Sequence, residues 1–451
     1  MTDNILIIAS RNDIAGGENY LLSCLRYLDK NRFHPVIWLP GDGAFRAALE
    51  QVDVDYVIEP VNYGWLNPHE PWYGFLSGLS ERVHRIVELI RERDIRLVHT
   101  NSNQILEGAL AAKLCGVPHL YLAHIDFQSN LPIYQRLPFE AASFAHLMGD
   151  LSTGILAVSE HVRASLCPPL QPDRITVVHN GLEMDRYDDA LTRRDGSLRK
   201  ELELDADAVI VAAAGRITYD KGFDLLVEAA AKLHSTYPDA MYLIAGPTDS
   251  ADHKISLEHR IRDLGLADRI RFLGGRNDLP RVFAQSDIFV LSSRREGHPY
   301  VLLEAMACNL PSVASRCGGV EETIEEGVSG YAVPISDVEA MAGRLSLLLK
   351  TPHLRQEMGL AAGKRIRETF TSERTAQGLF DMYERIIGQP KLPAGCYSVD
   401  LLLQATHEIG ELGTRLTKLE ERSKKFDSAA NLILENPLIR AIRRVLGRRI
   451  G

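Results

Sequence analysis

Short apolar runs alternate with helix-length amphipathic segments along this chain, twice over, and that alternation leaves few folds open. The runs at residues 4–9, 36–39, 54–58, 97–100, 118–124 and 154–158 are too short for ordinary helices and too uniformly apolar for strands with one wet face. They read as strands buried on both sides. Helical patterns over 20–28, 79–93 and 105–115 separate them, and such alternation means a parallel sheet with helices on both faces. A second unit starts at residue 209, with a helix running to about 233 and strands near 241–245, 271–273 and 287–291. Between the two, residues 182–205 are charged and lack sustained apolar periodicity, which reads as a connection. The length of 451 residues suits about three domain-sized units, met here by two folded units and an appendage.

Composition narrows the class. A hydrophobic content of 45% and a charged content of 25% are ordinary for a globular protein, and no apolar run approaches the ~20 residues of a membrane-spanning helix. Met-Thr-Asp-Asn leads straight into a strand without the features of a secretory signal, so a cytoplasmic protein is expected. The six cysteines show neither Cys-x-x-Cys pairing nor zinc-type His spacing and are expected to be reduced thiols. The formal charge of -9 divides into +4 on residues 391–451 and -13 on the rest. An acidic body argues against nucleic-acid binding, which needs a basic surface.

The chemistry concentrates in residues 292–306, Ser-Ser-Arg-Arg-Glu-Gly-His-Pro-Tyr-Val-Leu-Leu-Glu-Ala-Met, which read as the end of a strand, a tight loop and a helix start. Gly297 lets backbone approach a ligand closely, and Pro299 suits the first helical turn. Glu296 lies in the loop and Glu304 about two turns along, so the pair can grip two parts of one ligand. A lone Glu-x7-Glu is more simply two solvated carboxylates; the company it keeps reverses that. In residues 215–222, Gly-Arg-Ile-Thr-Tyr-Asp-Lys-Gly, Arg216 and Lys221 flank a strand-to-helix turn, where two cations beside a helix N-terminus make a diphosphate clamp. Gly16 and Gly17, between the first strand and first helix, occupy the other position where this architecture accepts anions.

These motifs together resemble the retaining glycosyltransferases of the GT-B fold known as group 1 or family 4. Residues 313–324, Val-Ala-Ser-Arg-Cys-Gly-Gly-Val-Glu-Glu-Thr-Ile, are similar to the family's next strand and Gly-Gly loop, and Glu326-Gly327 to its acidic-Gly pair before a short strand. Segments 157–160 and 175–181 resemble the last pieces of the family's first domain, and 372–387 its crossing back onto that domain. Asn309 stands where many members carry Gly, a departure bearing on local loop geometry. The resemblance covers roughly residues 1–388.

It implies an α/β, GT-B architecture, with two Rossmann-like domains facing a cleft: residues 1–185 for the acceptor, 206–371 for the nucleotide-sugar donor, and 372–388 crossing back. It further implies that a sugar moves, with retention at its anomeric carbon, from a nucleoside-diphosphate sugar to an acceptor hydroxyl in polysaccharide, glycolipid or envelope glycan synthesis. Glu296 and His124 are then expected on the donor sugar, Glu304 on the ribose, Arg216 and Lys221 on the diphosphate, Gly274 beside the base, and Gly297, Tyr300 and Val301 around the donor. The nucleotide sugar is a substrate, no cofactor is expected, and the two cations make a metal unnecessary. A GT-B-like epimerase or phosphorylase would use the same scaffold, and a non-catalytic nucleotide-binding scaffold is a third reading.

Two regions lie outside those motifs. The Pro/Gly-rich insertion 62–75 carries Trp65, Trp72 and Tyr73, whose flat rings suit a sugar or lipid acceptor as well as they suit a self-packed loop; Asp126 is a further acceptor candidate. After Pro and Gly break the helix pattern at 388–395, a tail spans 396–451. Leu402, Ile409, Leu416 and Leu412, Leu419, Phe426, Ile433 repeat every seven residues, a coiled-coil seam that points to a homo-oligomer, weakened by about 1 kcal/mol at each of Gly410 and Gly413. Asn436-Pro437 suits a helix start. Beyond it Leu438, Ile439, Ile442, Val445 and Leu446 share a face flanked by Arg440, Arg443, Arg444, Arg448 and Arg449. Such a helix fits a peripheral anchor on an anionic membrane serving a lipid-linked acceptor; packing on the acidic body is the alternative.

Overall fold

The computed structural model describes residues 2–59, 78–102, 105–126, 141–205 and 207–389, with helical stretches and positions at 399, 403–408, 411–413, 415, 418–419 and 421. The expected apolar runs are strands, and the inner ones are buried on both faces as their composition requires, Ile5 to Ala9 of β1 being at most 1% exposed, whereas the edge strands at 55–58 and 270–274 are only partly covered. The first lobe holds β1 (Asp3–Ala9), β2 (Phe33–Leu39), β3 (Asp55–Ile58), β4 (Ile95–Asn101), β5 (His119–Ala123), β6 (Gly154–Ala157) and β7 (Ile175–Val177). The second holds β8 (Ile210–Ala214), β9 (Met241–Ala245), β10 (Ile270–Gly274), β11 (Ile288–Leu291), β12 (Ser312–Ser315) and β13 (Gly330–Val333).

Strand order is β3-β2-β1-β4-β5-β6-β7 in one sheet and β10-β9-β8-β11-β12-β13 in the other, with parallel pairing throughout. Each order reverses beside its first strand, between β1 and β4 and between β8 and β11. In doubly wound sheets ligands bind beyond the carboxyl ends of the strands at that reversal. The topology alone therefore picks the four loops in which a site belongs.

The Ser372–Ile387 helix starts at a Thr371 cap, whose Oγ1 accepts from Arg374 N at 3.4 Å, and returns to the first lobe. Ala376, Leu379, Met382, Tyr383 and Ile386 are buried in that lobe's core, and the Tyr383 hydroxyl meets buried His99 Nδ1 at 2.7 Å. The two crossings between lobes lie side by side: Leu182 N donates to Phe370 O at 2.9 Å and Ser372 N to Leu182 O at 3.0 Å.

Three local expectations change. The connection at 182–205 is partly helical, with helices at Asp185–Thr192 and Ser197–Glu201; each is pinned mainly by one buried residue, Tyr187 or Leu198, too few for a periodic signal. Pro299 is the N-cap of the Tyr300–Ala307 helix, in extended conformation, and not its first helical residue. Asn309, the departure from the family's usual Gly, has φ +59°, a left-handed conformation that Asn tolerates better than most residues. The loop geometry thus survives the substitution.

The five described cysteines are free. Among the described residues no helix is long and apolar enough to cross a membrane. At the start of the tail Val399 and Leu403 join the first lobe's core, whereas Leu412 and Leu419 of the heptad seam are 62% and 60% exposed. The other seam positions and the Arg-rich segment 436–449 lie outside the described residues.

Burial pushes His99, His119 and His298 down to about 3 from an ordinary 6.5. Unfolded, each takes its proton near 6.5, so the stability gained by keeping them neutral is complete above that pH and is lost as pH falls through the window from about 6.5 towards 3. At pH 5 each costs about 2 kcal/mol. The thermal midpoint should fall steeply between pH 6.5 and 5, and His119→Gln should flatten that slope whatever its own starting stability. Equal midpoints for the wild type at pH 7 and pH 5 would contradict the assignment.

Candidate active site

Three of the four loops picked out by topology, those after β1, β8 and β11, carry residues picked out by motif. Gly16 and Gly17 follow β1 and open the Gly16–Leu25 helix, where the Glu18 carboxylate reaches back to Ala15 N at 3.2 Å. Asn101 ends β4 and His124 lies one residue past β5. Arg216 and Lys221 lie in the loop after β8, and Glu296 and Gly297 in the loop after β11. Gly274 ends β10 on the same edge of the second sheet.

The β8 and β11 loops are laced together. Gly222 has φ +62°, and a side chain there would strike Ser292 O, which lies 2.1 Å from the position of a Cβ; only Gly combines that backbone with that approach. Ser292 Oγ donates to Lys221 O at 3.0 Å, and Arg294 N to Asp220 O at 2.8 Å. Arg294 also forks onto Asp224 at 2.8 and 2.6 Å and stacks 4.0 Å over the Tyr219 ring. The lacing delivers Lys221 Nζ to Glu296 Oε1 at 2.6 Å, and Ser293 Oγ donates to the same oxygen at 2.7 Å. Glu296 Oε2 has no hydrogen-bond partner among the described residues.

Glu304 lies on the Tyr300–Ala307 helix and repeats that arrangement. Its Oε1 accepts from the Tyr187 hydroxyl at 2.9 Å and faces Arg186 at 3.5 Å, and Oε2 has no partner among the described residues. Burial raises the Glu304 carboxyl above its usual range, against the pull of Arg186 and Tyr187. Tyr300 packs against the cores of both lobes and its ring is 3.9 Å from where a Gly16 Cβ would sit, while Val301 is half-buried against the second. Arg216 is over half exposed and pairs with Asp249 at 2.9 Å. Both expected clamp cations are thus held by carboxylates.

His124 is fixed from behind. Asn101 Nδ2 donates to Gly17 O at 3.1 Å, so its Oδ1 must accept, and it meets His124 Nε2 at 2.8 Å. That network assigns the proton to Nε2, and burial lowers the imidazole to about 4, so it is neutral. Asp126 is buried between His161 and Arg295, each 3.7 Å away, and its charge raises His161. Trp65, Trp72 and Tyr73 lie outside the described residues.

The lobes meet at Gly297. A Cβ built there would be 1.7 Å from the His124 carbonyl oxygen, and Ser159 Oγ donates to Gly297 O at 2.9 Å. Beside it, Glu322 accepts from His179 Nε2 at 2.6 Å and from the amides of Glu160 and His161 at 2.8 and 3.2 Å. Burial works against that carboxylate, yet His179 and the amides hold it below its ordinary range. Buried His298 takes Asn180 N on Nδ1 at 3.2 Å and reaches Thr323 Oγ1 at 3.1 Å through Nε2.

Tyr187, Arg186, Ser293, Asn101 and Glu322 were not among the sequence-derived site residues. None stands in a spacing that marks it, though Asn101 closes a strand at the sheet reversal and topology could have found it. Two Asp-x-Asp pairs occur, Asp53/Asp55 and Asp205/Asp207. One begins β3 and the other precedes β8, at the strand ends away from the cleft. Among the described residues no group of three or more His, Cys, Asp or Glu side chains is placed to hold a metal.

Two doubly wound sheets meeting at the carboxyl ends of their strands are the frame of a GT-B glycosyltransferase. The family profile described as glycosyl transferases group 1 matches residues 195–365, and that of glycosyltransferase family 4 matches residues 14–186. The chain is 30% identical over 298 residues to alpha-maltose-1-phosphate synthase of Mycolicibacterium smegmatis, spanning 62% of this chain and 76% of that one. It is 33% identical over 223 residues to D-inositol 3-phosphate glycosyltransferase of Saccharomonospora viridis, spanning 47% of this chain and half of that one. The structure of HepE from Anabaena in complex with UDP has the same fold, with a TM-score of 0.70 at 22% identity over 85% of this chain and all of that one. The protein belongs to the group 1 glycosyltransferases.

Gly297→Ala should hold the lobes apart between Glu296 and His124. Misplacing catalytic groups by about 1 Å can cost ~10²-fold, so turnover should drop by at least about that factor with little change in the melting of either lobe. Wild-type turnover in a folded Gly297→Ala protein would show that the contact is not needed.

Proposed function

We propose that the protein transfers a sugar from a nucleoside-diphosphate sugar to an acceptor hydroxyl, with retention at the anomeric carbon and without a metal. The observation that carries this reading is the matched pair of glutamates: in each, Oε1 is held by protein donors and Oε2 has no partner among the described residues. Each can accept from a ligand hydroxyl, Glu296 from the donor sugar and Glu304 from the ribose. As the C1–O bond breaks, its electron pair passes to the diphosphate, where Arg216 and Lys221 stabilise the growing charge. The acceptor oxygen attacks from the same face and its proton goes to the departing phosphate oxygen. Neutral His124 contacts the sugar from the first lobe.

The HepE structures with UDP and UDP-glucose support a UDP-sugar as the first donor to try. The relatives' names include an acceptor linked to diphosphoundecaprenol, which supports a glycan or lipid-linked acceptor. Retention is tested by assigning the anomeric configuration of the first-formed product in the presence of a chelator. An inverted product, or activity abolished by chelation, overturns the corresponding part.

Lys221→Ala should lower turnover by about 10²- to 10³-fold, as for loss of one preorganised donor to the developing charge. Glu304→Ala should weaken binding of free nucleoside diphosphate by calorimetry, whereas Glu296→Ala should spare that affinity and lose transfer. Equal losses of nucleotide affinity in the two glutamate variants would refute the division of roles. The basic segment 436–449 is proposed to dock on an anionic membrane, with self-association through the heptad seam. The full chain should then float with anionic liposomes while a chain ending at Gly388 should not; flotation of both or of neither rejects the anchor.

A further inference from the structure

A cavity of about 520 Å³ opens on the second lobe far from the cleft edge, at Asp287 and Pro311 just before β11 and β12 begin, where the connector passes over them. It brings together Arg194 and Arg199 of the connector and Arg355 of the Pro352–Thr369 helix. The one carboxylate in its wall, Asp287, is already engaged by Arg199 at 3.3 Å and by Ile210 N at 2.8 Å. Arg194 and Arg355 have no carboxylate within 4.0 Å among the described residues. Main-chain carbonyls hold them in place: Arg194 Nε donates to Ala284 O, and Arg355 Nη1 to Leu348 O and Leu349 O at 2.7 and 3.0 Å.

Those contacts orient the guanidiniums without neutralising them. The Arg355 contact also caps the preceding helix, but it uses one nitrogen of three, and the Arg194 contact likewise uses one. Each side chain therefore keeps N–H donors for a ligand. Elsewhere in this acidic chain arginines are commonly matched to carboxylates, as Arg276 and Arg281 are to Glu201 and Asp278; here two fixed, uncompensated cations line a hollow. Leu310, Pro311 and the 57% exposed Leu360 supply an apolar wall.

We propose that this cavity binds a small phosphorylated metabolite, the phosphoryl group on Arg194 and Arg355 and the rest of the molecule against Leu310, Pro311 and Leu360. Guanidinium forks match phosphate oxygens, and the volume falls in the range of small-molecule sites, with room beyond a bare anion. Since Arg194 is on the connector and Arg355 is in the second lobe, a shared phosphoryl group cross-links the two. The assignment does not depend on the donor or on the reaction in the cleft.

Calorimetry of the full chain with glucose 6-phosphate, and separately with inorganic phosphate and with glucose, tests it. Glucose 6-phosphate should bind at one site, inorganic phosphate more weakly, and glucose not at all. Arg194→Glu and Arg355→Gln should each weaken glucose 6-phosphate binding at least about ten-fold, the loss of one charge-assisted hydrogen bond, and Lys221→Ala should leave it unchanged. If Arg355→Gln misfolds, Arg194→Glu decides, because Arg194 is exposed and makes a single hydrogen bond. No binding at millimolar concentration, binding indifferent to both arginines, or binding abolished by Lys221→Ala, which would put the ligand in the cleft, overturns the proposal.

Discussion

At position 297 the two lobes meet backbone to backbone, and the cleft depends on that approach. The absence of a side chain lets the loop after β11 reach the carbonyl of His124, and the same loop carries Glu296 one residue earlier. Ser159 from one side and the Glu322–His179 pair from the other hold the contact, so the Glu296 carboxylate and the His124 imidazole are set by one close packing.

The electrostatics of the site follow from burial more than from net charge. His124 and His298 are kept neutral by desolvation, whereas Lys221 and Arg216 are paired with Glu296 and Asp249. Cations arranged in this way do not face each other bare, and any anion that engages them has to break the pairs first. Glu296 and Glu304 each spend one oxygen on the protein and keep the other, which is how a carboxylate can be positioned firmly and still accept from a ligand.

Much of this was legible in the residues. Parallel sheets declare themselves through uniform apolar runs, and the motifs at 215–222 and 292–306 sit on the loops that the sheet reversals require. What escaped has a common physical reason: it depends on contacts between distant segments. Tyr187 is one aromatic residue in a charged stretch, and nothing local says that its hydroxyl reaches Glu304 across 117 positions. Asn101 acts through Gly17 and His124, three residues from three separate segments of the chain. The connector helices were missed because single anchors leave no period, and Pro299 was displaced by one position because its fixed φ serves an extended cap as readily as a helical turn.

The Ser372–Ile387 helix gives the first lobe a history different from its position in the chain. Its core is assembled from residues near the start of the chain and residues past 372, with the whole second lobe inserted between Leu182 and Thr371, whose neighbouring groups are hydrogen-bonded to each other. As the polypeptide emerges during synthesis, the second lobe has all its strands while the first still lacks Tyr383 against His99 and Met382 and Ile386 over Gly154. The lobe that begins first is completed last, and until then it exposes an apolar trough the width of one helix.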